Sequence, residues 1–122
     1  MALRCLIVDD NVGFVTAARD LLEREGIAVV GAAATGREAV RRARELLPDV
    51  TLLDIDLGAE SGFDVVRELV KEDECAPANV ILISSHAEGD YAELIEASPA
   101  AGFVAKTDLS SESILAVLRR TA

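Results

Sequence analysis

The strongest constraint on this chain is a set of five short apolar runs spread along its 122 residues: 3–8 (interrupted by Arg4), 27–30, 50–53, 80–83 and 103–105. The first four are rich in Val, Ile and Leu, and most are continuous rather than alternating. A strand that is apolar at successive positions is buried on both faces, the condition of a parallel sheet covered by helices. The segments between the runs carry helical patterns. Residues 12–24 place Val12, Val15, Ala18, Leu21 and Leu22 on one face. Thr35 and Glu38 form a capping-box pattern that opens a helix to about Leu47, where Pro48 stops it. Helices are also expected over 62–71, 91–97 and 111–120. The last has Ser110 or Ser111 as its cap and Ile114, Leu115 and Leu118 as its inner face. Residues 72–79 have no periodicity and read as a loop.

Five alternating βα units imply an α/β fold built on an open, doubly wound, five-stranded parallel sheet with right-handed crossovers. A barrel of eight units would need about twice the length. There is no linker, low-complexity stretch or internal repeat, so residues 1–122 read as one domain. A hydrophobic fraction of 51% is enough to give such a domain a core.

In a doubly wound sheet, ligands bind beyond the carboxyl ends of the strands, near the point where the strand order reverses. Asp9 and Asp10 follow the first run, Asp54 the third (with Asp56 two residues on), Ser84 and Ser85 the fourth, and Lys106 the fifth. The second run is followed by Gly31-Ala32-Ala33 and delivers nothing polar. It would be an outer strand in the order 2-1-3-4-5, so its silence fits that order. Taken singly, each feature has a plain alternative: an Asp-Asp pair makes turns and a lone lysine is ordinary surface. Together they bring three carboxylates to one rim. At about 4 Å and an effective dielectric near 20, each ionised pair costs about 4 kcal/mol before relaxation, so the cluster holds a proton or a cation. An all-oxygen, water-accessible site suits Mg²⁺, and a lysine and a hydroxyl beside it suit a phosphoryl group.

Charge narrows the partners. The chain has 12 Lys+Arg against 22 Asp+Glu, a net charge of −10. Residues 1–50 hold 8 acids and 7 bases, whereas 51–122 hold 14 acids and 5 bases. Such a surface gives no footprint for nucleic acid or for an anionic membrane. No apolar run is long enough for a bilayer and the first residues lack the regions of a signal peptide, so a cytoplasmic location is expected. Cys5 and Cys75 sit in no metal spacing and read as reduced packing residues.

At the level of motifs the sequence resembles the receiver domain of two-component response regulators along essentially its whole length. The resemblance is carried by Leu6-Ile7-Val8-Asp9-Asp10-Asn11, Ala34-Thr35-Gly36-Arg37-Glu38-Ala39, Pro48-Asp49-Val50-Thr51-Leu52-Leu53-Asp54-Ile55, Ser61-Gly62-Phe63-Asp64, Ile81-Leu82-Ile83-Ser84-Ser85 and Gly102-Phe103-Val104-Ala105-Lys106. It implies a flavodoxin-like (βα)₅ fold with Asp54 as phosphoacceptor. It implies Mg²⁺ or Mn²⁺ held by Asp9, Asp10, Asp54 and the backbone carbonyl of Asp56. Ser84 and Lys106 would bind the phosphoryl group, and Phe103 would be the aromatic switch. Asp56 and His86 would occupy the two positions that tune hydrolysis. The implied partners are a sensor histidine kinase or phosphotransfer protein and a phosphorylation-dependent second copy. The implied activity is that of a switch rather than an enzyme, with at most slow loss of its own phosphoryl group.

Three departures from the family pattern stand out. Thr107 follows Lys106 where many receivers have Pro, which implies a trans peptide or a strained loop. Leu57-Gly58-Ala59 replaces the common Leu-Pro-Gly, and Asp56 and His86 are this chain's own choice at the tuning positions. The stretch Lys106-Thr107-Asp108-Leu109-Ser110 resembles receivers joined to LuxR-type (NarL-type) DNA-binding domains. It favours transcriptional output through such a domain over a single-domain regulator acting by protein contact. Met1 directly before the first run reads as a natural start, and the chain stops directly after the last helix.

A haloacid-dehalogenase-like phosphatase also begins with a hydrophobic strand and Asp-x-Asp, matching Leu52-Leu53-Asp54-Ile55-Asp56. There the acidic pair comes last, whereas here Asp9-Asp10 come first. No Gly-x-Gly-x-x-Gly or P-loop pattern follows the first run, which removes a dinucleotide reading. The crowding of carboxylates yields a prediction: Asp10→Asn or Asp54→Asn raises the melting temperature in chelator. An unchanged or lower value contradicts a repulsive site.

Overall fold

A computed structural model describes residues 2–71, 79–85 and 88–121. In chain order the elements are β1 (Arg4–Val8), α1 (Val12–Arg24), β2 (Ala28–Ala33), α2 (Gly36–Leu46), β3 (Val50–Asp54), β4 (Asp56–Leu57), β5 (Glu60–Ser61), α3 (Gly62–Lys71), β6 (Val80–Ser84), α4 (Ala92–Ala97), β7 (Gly102–Ala105) and α5 (Ser111–Thr121). Five of the strands form one parallel sheet in the order β2-β1-β3-β6-β7. Counting only these five, this is the order 2-1-3-4-5. The two-residue strands β4 and β5 pair antiparallel as a separate hairpin. They are too short to show an alternating pattern, so the sequence does not announce them.

The continuous apolar runs are explained by two cores, one on each face of the sheet. Leu6, Val8, Leu53, Val80 and Leu82 meet residues of α2 and α3 such as Ala39, Ala43, Val66 and Leu69. The alternate positions Cys5, Ile7, Val50, Leu52, Ile81 and Ile83 meet α1 and α5 through Ala18, Leu22, Ile114 and Val117. Every residue of β3 and β6 is buried. Successive strand side chains point to opposite faces, so both sets must be apolar. Cys5 is wholly buried, and burial pushes its thiol up to about 12, which leaves it an inert packing group. Cys75 and the stretch 72–78 lie outside the described residues.

Two helix faces differ from their expected form. Val12 is 78% exposed. It is the first residue of α1, at the rim where the sheet ends, and has no core beneath it. In α5, Leu115 is 40% exposed and Val117 is buried in its place. The inner stripe is Ile114, Val117 and Leu118, the i, i+3, i+4 spacing, and Leu115 falls about 100° away from Ile114. α2 ends one residue early, with Leu47 in a left-handed conformation (φ 48°) that closes the helix before Pro48.

The hairpin and the start of α3 fix the end of β3. Gly58 has φ +60° at the first turn position, where a two-residue hairpin turn favours glycine. The Gly62 N–H donates to the Ile55 carbonyl at 2.6 Å. A Cβ on Gly62 would lie 2.7 Å from Ile55 Cα and against the Asp54 backbone. Backbone cannot yield as a side-chain tip can. Gly62→Ala is therefore expected to destabilise by about 1–3 kcal/mol in denaturant unfolding, and a neutral result would contradict this close approach.

Candidate functional site

Parallel strands in register deliver their last residues to one rim. Val8 pairs with Leu53, Asp54 with Ile83, and Ser84 with Ala105. The residues that end or follow β1, β3, β6 and β7 are therefore Asp9, Asp54, Ser84 and Lys106, at one rim. Asp9 is 3%, Asp54 5% and Ser84 1% exposed, whereas Asp10 is exposed.

Local structure orients each carboxylate. Asn11 caps α1: its Oδ1 accepts from the Phe14 N–H at 3.0 Å, and its own N–H donates to Asp9 Oδ1 at 2.8 Å. The cap that starts the helix thus also holds the buried aspartate. Asp54 Oδ1 accepts from the Asp56 N–H at 3.1 Å. Lys106, from the 3-10 turn after β7 (Lys106–Asp108), reaches back across the rim. Its Nζ lies 2.7 Å from Asp9 Oδ2 and 3.3 Å from Asp54 Oδ2. The ammonium thus pairs with both carboxylates, the contact with Asp9 being the shorter. The ammonium also sits 4.4 Å from the centroid of the Phe14 ring, a cation–π contact. No peptide bond among the described residues is cis, so Lys106–Thr107 is trans.

One oxygen from each of Asp9, Asp10 and Asp54 lies within 4.8 Å of the others. One lysine faces this group, so negative charge is in excess. Burial, and then the Asp9 charge, push the Asp54 carboxyl up from 3.8 to about 6, against the Asp56 N–H and Lys106, which pull it down. Burial alone would lower the Lys106 pKa. The carboxylates of Asp9 and Asp54 outweigh that and hold it above its ordinary value.

The donor set fits a hard divalent cation: oxygens of three carboxylates gathered within 4.8 Å, two of them on buried residues, and an exposed Asp10 that leaves room for water. A small hollow of about 180 Å³ lies beside Asp9 and Asp10. Gly58 borders the cluster, with Asp10 Oδ2 3.2 Å from where its Cβ would stand.

Of the other expected site residues, Phe103 is half-buried against the core shared by α2 and α3, and the Asp56 backbone adjoins Asp54. His86 lies outside the described residues. Asn11, Phe14 and Tyr91 stand outside the set of expected site residues. In the structure the Tyr91 ring packs on Phe63 and its hydroxyl donates to the Asp56 carboxylate. Asn11 carried a visible signal as a capping residue directly after the acidic pair. Phe14 and Tyr91 carried none, because their partners come from distant segments.

The chain belongs to the response regulator receiver domain family, whose model matches residues 5–119. This takes the place of the phosphatase alternative. Among similar proteins is a chemotaxis protein CheY of Thermotoga maritima, 37% identical over 97 residues, covering 80% of this chain and 78% of that protein. A putative transcriptional regulator of Pseudomonas aeruginosa is 35% identical over 115 residues, 93% of this chain and 54% of that protein. The chain thus spans about half the length of that regulator, and under a third of two protein-glutamate methylesterases that it also matches. The crystal structure of a LuxR-family two-component response regulator from Aurantimonas superposes with TM-score 0.86 at 29% identity, covering 98% of this chain and 87% of that one. No helix among the described residues is long and apolar enough to cross a membrane.

The raised carboxyl predicts a pH-dependent stability. Folded Asp54 holds its proton more tightly than the unfolded chain does, so its contribution falls as pH rises from about 4 to about 6 and stays low above that. Without divalent cations, Asp54→Asn should match wild type near pH 4 and exceed it above about pH 6, by up to about 3 kcal/mol. Exposed Asp10, screened by water, should give a smaller gain as Asn. A gap independent of pH would contradict the assignment.

Proposed function

We propose that this chain is the phosphoacceptor switch of a two-component system, with residues 1–122 acting as one receiver domain and Asp54 as the nucleophile. The observation that carries the reading is Lys106 lying between the Asp9 and Asp54 carboxylates at the rim of a receiver-family sheet. The phosphodonor is a sensor histidine kinase or a phosphotransfer protein.

With its carboxyl near 6, Asp54 is mostly ionised at neutral pH and able to attack the phosphorus of the donor's phosphohistidine in line, the P–N bond breaking as the new P–O bond forms and the donor imidazole leaving. Asp9, Asp10, Asp54 and the Asp56 carbonyl would hold Mg²⁺ or Mn²⁺, which when bound supplies positive charge against the phosphoryl oxygens. The Asp56 N–H keeps Asp54 Oδ1 oriented, leaving the other oxygen as the attacking atom. As the bond forms, Lys106 exchanges its contact with Asp54 Oδ2 for the phosphoryl oxygens. Ser84, buried at the end of β6, offers its hydroxyl to the same group. Phe103, half-buried on the next strand, follows the movement of Ser84. Water ends the cycle by hydrolysing the acyl phosphate, at a rate tuned by Asp56 and His86.

The output we propose is transcriptional, through a DNA-binding domain separate from this acidic one. The LuxR-family structural neighbour and the transcriptional regulator among the relatives support it. A single-domain regulator acting by protein contact is the second reading, favoured by the match to most of a CheY protein. In either case the exposed acids Asp90, Glu93 and Glu96 call for a partner, or a second copy, that brings basic residues to α4. A cytoplasmic location follows from the donor.

The test is incubation of the chain with a small-molecule phosphodonor and Mg²⁺, followed by intact mass. Wild type should gain one phosphoryl group, and Asp54→Asn should gain none. Labelling of Asp54→Asn at the wild-type level, or no labelling of wild type where another receiver is labelled, would overturn the reading.

A further inference from the structure

Few contacts hold α4. None of its six residues is buried, Tyr91 at its N-cap makes no side-chain capping bond, and Leu94 is 54% exposed. In this stretch Tyr91 and Ile95 pack on the core. Tyr91 does so with its ring against Phe63 in the first turn of α3, centroids 6.1 Å apart and planes tilted by 52°. Its hydroxyl donates to the Asp56 carboxylate. Asp56 in turn donates its backbone N–H to Asp54 Oδ1 at 3.1 Å. Two hydrogen bonds and one residue therefore connect the Asp54 carboxylate to the start of α4.

We propose that Tyr91 is a positioning residue that couples the state of Asp54 to α4: its bond to Asp56 fastens the helix while Asp54 is unmodified and is lost when Asp54 is phosphorylated. The proposal rests on the phosphoacceptor reading above. A phosphoryl group adds about 1.5 to 2 negative charges, on a side chain two residues from Asp56. The repelled Asp56 carboxylate turns away and the phenol loses its acceptor. Asp90 and Asp54 also face the phenol, so the added charge enters an already negative pocket. What remains on α4 is the packing of Ile95 and of the Tyr91 ring. Coupling is reciprocal, so in a chain that lacks the hydroxyl the phosphorylated form should be favoured at equilibrium with its donor.

Tyr91→Phe removes the hydroxyl and keeps the ring on Phe63. Amide hydrogen exchange over residues 92–97 of the full chain is the readout. In the unphosphorylated state the variant should exchange about tenfold faster there, the effect of losing one hydrogen bond to a charged acceptor, with β1 and β3 unchanged. Phosphorylated wild type, confirmed by mass, should show the same acceleration, and the phosphorylated variant little more. In an Asp56→Ala chain, Tyr91→Phe should add nothing. Exchange in Tyr91→Phe equal to wild type, or an equal response of both to phosphorylation, overturns the coupling while leaving the phosphoacceptor reading intact. Failure of wild type to take up a phosphoryl group overturns both, and the unphosphorylated comparison then reports on the fastening alone.

Discussion

The contact on which the arrangement depends is the ion pair of Lys106 with Asp9, shared with Asp54. It joins the loop after β1, the end of β3 and the turn after β7, three segments far apart in sequence. One positive charge faces three carboxylates, so the site is stable yet electrostatically unfinished. A cation or a proton relieves the excess. On the proposed function, a phosphoryl group on Asp54 would give Lys106 a new set of oxygens to follow. The same imbalance that costs stability at neutral pH therefore makes the site responsive.

The rest of the fold holds that imbalance in place. Two apolar cores clamp the sheet from both sides, and every residue of the inner strands β3 and β6 is buried. Local devices then fix each charge: Asn11 caps α1 while holding Asp9, Gly62 lets α3 start against the backbone of Asp54, and Phe14 stacks on the ammonium of Lys106. Away from this rigid rim, α4 has no buried residue. Stiffness at the charged rim and looseness one element away are what a switch needs, because a local change of charge can then move something.

Much of this was legible in the sequence, for particular physical reasons. β3 and β6 could be read because burial on both faces demands an unbroken apolar run. Asp9, Asp10, Asp54, Ser84 and Lys106 could be read because each lies within two residues of the end of such a run, and a parallel sheet sends those ends to one rim. Val12 and Leu115 were misplaced because helical periodicity alone does not say where the neighbouring core stops. The β4–β5 hairpin was invisible because two-residue strands have no pattern. The pairing of Lys106 with Asp9 rather than Asp54 as the shorter contact, the Phe14 ring beside it, and the Tyr91–Asp56 bond depend on side chains meeting across the fold. Spacing along the chain does not encode them.

The central claim is that Asp54 sits in a carboxylate excess which a cation relieves. It is tested most directly by following the Asp54 side-chain carboxyl carbon by NMR as pH is varied, with and without Mg²⁺. The account predicts a midpoint near 6 in chelator, moving to lower pH as Mg²⁺ is added. A midpoint in the ordinary aspartate range that Mg²⁺ leaves unmoved would contradict it.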